Sequence, residues 1–88
     1  MNAEGILDEL LQLLEKNGIE VRLEQMDGSG GGICSVKGRR IVFLDTAAPA
    51  SERAAVCAAA IAKVVNLEEI YMKPEVRQFV EQENQRSR

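Results

Sequence analysis

The stretch ICSVKGRRIVFL, residues Ile33 to Leu44, decides how this chain is read. Two apolar runs, Ile33 to Val36 and Arg40 to Leu44, flank Lys37-Gly38, a dipeptide suited to a hairpin tip. A two-residue loop pairs Val36 with Arg39 and Cys34 with Ile41, whereas a four-residue loop, Lys37 to Arg40, pairs Val36 with Ile41. Both registers place Cys34, Val36, Ile41 and Phe43 on one face and Ile33, Ser35, Val42 and Leu44 on the other, because side chains alternate with period two. The run Ile41 to Leu44 is therefore apolar on both faces, the mark of a central strand or of a sheet covered on both sides.

Ahead of the hairpin, Ile19 to Glu24 alternates Ile19, Val21 and Leu23 against Glu20, Arg22 and Glu24, a strand with one wet face. Between them runs Asp27-Gly28-Ser29-Gly30-Gly31-Gly32, too permissive in backbone for regular structure and read as an inter-strand connection with a bulge at Gly31-Gly32. At the start of the chain, Glu4 to Lys16 sets Ile6, Leu7, Leu10, Leu11 and Leu14 on one helical stripe, and Asn17-Gly18 supplies the stop. Beyond the hairpin, Pro49 to Val65 reads as a helix with Cys57, Ala60, Ile61, Val64 and Val65 inward and the remaining surface smoothed by alanine. Leu67 to Met72 reads as a short helical turn with Leu67, Ile70 and Tyr71 inward, and Pro74 opens a last helix carrying Val76, Phe79 and Val80. The fold expected is α+β: a three-stranded, mainly antiparallel sheet with flanking helices, in the order α-β-β-β-α-α. Residues 1–80 form one globular domain, and the polar stretch 81–88 is expected to be a disordered tail.

The 88 residues suffice for one modest core, and with only 3% aromatic residues that core must be aliphatic. Its expected members are Leu7, Leu10, Leu11, Leu14, Val21, Leu23, Val36, Ile41, Phe43, Ile61, Val64, Tyr71 and Phe79. The net charge of −3 argues against a general nucleic-acid or anionic-membrane binder. No apolar run approaches the roughly 20 residues needed to span a bilayer. The first residues carry neither a basic segment nor an apolar run, so the expected compartment is the cytoplasm, with Cys34 and Cys57 as thiols.

Each candidate chemistry then fails on a missing part. The glycine cluster lies between strands instead of opening a helix, and it lacks the Lys-Ser/Thr pair of a phosphate-binding loop. A nucleophilic thiolate needs a histidine or a helix N-terminus, and the chain contains no histidine. Two isolated cysteines cannot complete a zinc site, so no metal and no cofactor are expected. Lys37, Arg39 and Arg40 cluster at the hairpin tip, where they could touch an anion or a nucleic-acid backbone, but no aromatic residue is interleaved for base stacking.

The segments "GIEVRLE", "GGICSVKGRRIVFLD" and "ASERAAVCAAAIAKVV", in that order, resemble the layout of the ImmA/IrrE-type minimal zincins over residues 18 to 65. The resemblance implies a three-stranded sheet followed by a helix that, in the family, carries His-Glu-x-x-His. Here that motif is replaced by Ala59-Ala60-Ile61-Ala62-Lys63, which offers no metal ligand, so the resemblance implies an inactive scaffold and transfers no catalytic residue.

The function expected is a small non-catalytic interaction or self-association module, docking onto a partner protein or forming a homodimer. Ile33, Val42 and Leu44 are the expected partner surface, as an apolar strand face in need of cover. The alternatives are anion or nucleic-acid binding through Lys37, Arg39 and Arg40, and a hydrolase or thiol enzyme built on a cysteine.

Overall fold

A computed structural model describes residues 1–26 and 31–86; the greater part of the glycine-rich connection falls outside the described residues. The chain runs α1 (Ala3–Lys16), β1 (Glu20–Glu24), β2 (Gly31–Val36), β3 (Arg39–Asp45), α2 (Ala50–Val64) and α3 (Pro74–Arg86), the expected α-β-β-β-α-α order in an α+β fold. Helix α1 starts where the Asn2 side chain accepts the Gly5 N–H at 2.9 Å, and it closes with Ile19 N–H donating to the Leu14 carbonyl and Gly18 N–H to that of Glu15. Leu10 and Leu14 on its inner stripe are fully buried.

β3 is the central strand, as its two apolar faces suggested, in the order β1-β3-β2. The hairpin uses the two-residue loop, with Val36 opposite Arg39, and Lys37 at φ 51° and Gly38 at φ 79° form the turn type whose twist matches its strands. β2 is antiparallel to β3, but β1 is parallel to it, so the sheet is mixed instead of mainly antiparallel. The strand order accounts for the difference: β1 and β2 lie on opposite edges of β3, with Glu24 and Gly31 both at its Asp45 end, so β1 points the same way as β3. At that crossing Asp45, the one buried carboxylate among the described residues, accepts the Ala47 N–H at 2.9 Å and the Met26 N–H at 3.4 Å.

Helices α1 and α2 pack on one side of the sheet, and α3 packs against both of them. Their shared core joins Leu7, Leu10 and Leu14 of α1, Val42 and Leu44 of β3, Ala54, Cys57, Ala58 and Ile61 of α2, and Val76 and Val80 of α3. Apart from Ile41, which is buried as expected, this reverses the expected assignment of faces. Val42 and Leu44 are buried and are not an open partner surface, while Ile33, partly buried, packs against the core beside them. The β1 register gives the reason: the helix-side row reads Val21–Val42–Ile33 across all three strands, whereas the other row runs from Ile41 and Phe43 into Glu20 and Arg22. Only the first row is apolar throughout, and burying it removes more apolar surface from water.

Three expected core residues are exposed. Val36, at 45%, stands on the helix-free face, and Leu23, at 59%, lies on edge strand β1. Tyr71 is 80% exposed and Met72 is buried in its place, because residues 67–69 form a non-helical turn and helical spacing does not carry through to 71. Arg77 fastens that turn by donating to the carbonyls of Leu67 and Ile70. Residues 81–86 continue helix α3 instead of fraying, with Arg86 paired to Glu83. Val76 and Val80 anchor the helix, and the Glu, Gln and Arg that follow are good helix formers on an existing nucleus. The alanines of α2 are used internally too: Ala54, Ala58 and Ala60 are buried and let the neighbouring helices approach.

Candidate interaction surface

The two edges of the sheet differ in chemistry. β1, EVRLE, carries Glu20, Arg22 and Glu24, with Arg22 paired to Glu20 along the strand. β2, GGICSV, carries no charge and no proline, and its second half, Cys34 to Val36, is exposed. Charge and proline are the usual protections of a strand edge against pairing with another chain, so β1 is guarded and β2 is open. On the helix-free face, Cys34, Val36 and Phe43 form an apolar strip beside that open edge.

Below the edge of β2, the last turn of α2 forms the other wall of a groove of about 240 Å³ lined by Ile33, Cys34, Ser35, Arg40, Lys63 and Val64. Arg40 reaches it because Ser35 is its partner in the hairpin, which puts both on the helix side. Neither the Arg40 nor the Lys63 side chain makes a hydrogen bond or ion pair among the described residues. A larger cleft of about 680 Å³ opens at the same end of the molecule, between the α1–β1 connection (Asn17 to Glu20), the hairpin residues Gly38, Arg39 and Arg40, and Val64 and Val65. Arg39 and Arg40 both line this cleft, and the fold brings Lys63 of α2 beside Arg40 at the smaller groove. The sequence pattern did not bring Lys63 to Arg40, because the two meet only through the packing of α2.

The cysteines are separated. Cys34 is exposed on the edge strand, while Cys57 is fully buried in the core, where desolvation pushes its thiol up to about 12. At the positions where the zincin motif would fall, Ala59 is half-buried, Ala60 is buried in the core and Lys63 is exposed on the groove. Among the described residues no three Cys, Asp or Glu side chains stand close enough to hold a metal ion, and no helix is long and apolar enough to cross a membrane. Comparison with known proteins gives no match: no family model, no curated protein and no solved structure matches this chain.

Proposed function

We propose that this chain is a non-catalytic protein-interaction module that receives its partner at the free edge of β2. The observation that carries this reading is the asymmetry of the sheet: three charged residues guard the five of β1, and none guards the six of β2. Main-chain groups on an open edge can accept an extended segment, while the groove and the apolar strip on either side can select its side chains. A binding role also fits the thiols, since Cys57 is locked in the core as a protonated group and Cys34 has no histidine to activate it.

The test is selection of displayed random peptides against the immobilised full chain. Binders should be β-prone, and Ser35→Pro should abolish their binding, because a proline there removes an edge donor without touching the hairpin ladder. Failure to enrich any sequence, or enrichment that Ser35→Pro leaves intact, would refute the edge as the docking site.

A second reading is favoured by one observation: the side chains of Lys37, Arg39 and Arg40 have no hydrogen-bonding or ionic partner among the described residues, and the two arginines line the larger cleft. Such a cluster suits an anion or a nucleic-acid backbone. That reading requires binding to a duplex or single-stranded oligonucleotide that weakens steeply with salt, and a shift assay showing no complex at low salt dismisses it.

A further inference from the structure

We propose that the segment received at β2 is an extended acidic stretch of a partner protein, added as a fourth strand with its carboxylates directed to Arg40 and Lys63; this rests on the edge reading above. The hairpin fixes which groups are offered. A two-residue turn closes with the Val36 carbonyl accepting from Arg39, so Val36, Cys34 and Gly32 direct their main-chain groups at β3. By alternation Ile33 and Ser35 turn theirs outward, while Gly31, at φ 97°, lies outside the extended region.

An added strand places its side chains alternately. Those opposite Ile33 and Ser35 fall on the helix side, over the groove of about 240 Å³. Those between fall on the helix-free face, beside Cys34 and Val36. The groove combines apolar walls, Ile33 and Val64, with two cations that have no partner among the described residues. A carboxylate on a short apolar stem complements both features, and a lysine in its place would be repelled. The pattern selected is therefore acidic residues alternating with apolar ones.

The same charges disfavour a second copy as the occupant. Antiparallel pairing of β2 with its own mate needs a two-fold axis near Ile33 or Cys34, which would bring Arg40 and Lys63 of both copies together at the groove. A partner of opposite charge removes that conflict.

The inference is tested by fluorescence anisotropy with the full chain and three heptapeptides of valine alternating with glutamate, glutamine or lysine, each carrying a neutral fluorophore. The glutamate peptide should bind, the glutamine peptide about tenfold more weakly, and the lysine peptide not at all, the first with the strongest salt dependence. Arg40→Gln with Lys63→Gln should lower the glutamate peptide to the level of the glutamine peptide. Ser35→Pro should abolish both, with hydrogen exchange on the unaltered chain showing Ile33 and Ser35 amides protected by the bound peptide. Equal binding of glutamate and glutamine peptides, or no binding of any, overturns the acidic preference while leaving the edge to the displayed-peptide selection. Binding that leaves the Ile33 and Ser35 amides unprotected overturns both.

Discussion

Gly31 gives the sharpest test of this fold, because its neighbour Gly32 is an internal control one residue away. Gly31 opens β2 at φ 97°, and a Cβ built there would lie 2.0 Å from the carbonyl oxygen of Phe43 on the facing strand. The obstacle is backbone on the central strand, so no side-chain rotation relieves it. A non-glycine residue in so sparsely populated a conformation costs about 1–3 kcal/mol. Relieving the clash means parting β2 from β3 at Gly31–Leu44 and Gly32–Phe43, about 1 kcal/mol for each main-chain hydrogen bond lost. Gly31→Ala should therefore destabilise the protein by about 3–5 kcal/mol, against a total of about 4–13 kcal/mol for a chain of this length.

At Gly32 a Cβ meets nothing within 4 Å, and φ is not positive. Gly32→Ala should change stability by less than about 1 kcal/mol, in the stabilising direction, since alanine restricts the unfolded chain. Urea unfolding followed by far-UV circular dichroism reads both variants on one scale. The Gly31 variant should unfold at a much lower midpoint, with melting lowered by about 15 °C or more. Equal midpoints for the two variants would show that β2 does not begin against the Phe43 carbonyl, and the register of the hairpin would have to be redrawn.

Five further outcomes are expected. Leu10→Ala, which empties a fully buried site on α1, should cost about 2–5 kcal/mol, and an unchanged urea midpoint would remove α1 from the core. Asp45→Ala should cost about 1–3 kcal/mol by stranding the N–H groups of Ala47 and Met26, with Asp45→Asn milder because it keeps an acceptor oxygen; equal losses would show that the oxygen is not the essential feature. A thiol reagent should titrate Cys34 alone in the native protein and both cysteines in denaturant. Because the Cys57 thiol is raised from 9.0 to about 12, its contribution to stability is complete below pH 9 and lost as pH climbs toward 12, so alkaline melting should be blunted in Cys57→Ala relative to its own neutral-pH baseline. Zinc added to the purified chain should leave the melting temperature unchanged, and a clear rise would restore a metal centre to consideration.

Much of the fold is local in origin and could be read directly. The Leu7-Leu10-Leu14 stripe, the Asn17-Gly18 stop and the Lys37-Gly38 tip each act within a few residues, and the structure places all three where the pattern did. The failures share one cause. Which face of the hairpin is covered depends on whether β1 lies parallel or antiparallel and in what register, and no local pattern in the residues between β1 and β2 fixes that. With β1 unplaced, Val42 and Phe43 look equally fit for the core; once Val21 stands opposite Val42 and Arg22 opposite Phe43, only Val42 does. Tyr71 failed for a related reason, since a turn breaks the helical count just before it. The groove had no sequence signature at all, because Arg40 and Lys63 meet only through the packing of α2 under the hairpin.

The features that make β2 open also make it the least secured strand of the sheet. It has a hydrogen-bonding neighbour on one side only, it begins with two glycines, and its second half is exposed, whereas β3 is held from both sides and buried through its middle. Local opening should therefore cost less at β2 than anywhere else in the sheet. A segment added at the edge would turn β2 into an inner strand and recover main-chain hydrogen bonds at Ile33 and Ser35 that are otherwise spent on water. Binding free energy would then appear in part as ordering of β2, by the mass action that stabilises any state a ligand prefers. On the proposed reading, such coupling would account for an edge without charge in a chain that places three charged residues on β1: protection at β2 would fall to the cations beneath it, which would repel a like copy and admit a partner of opposite sign.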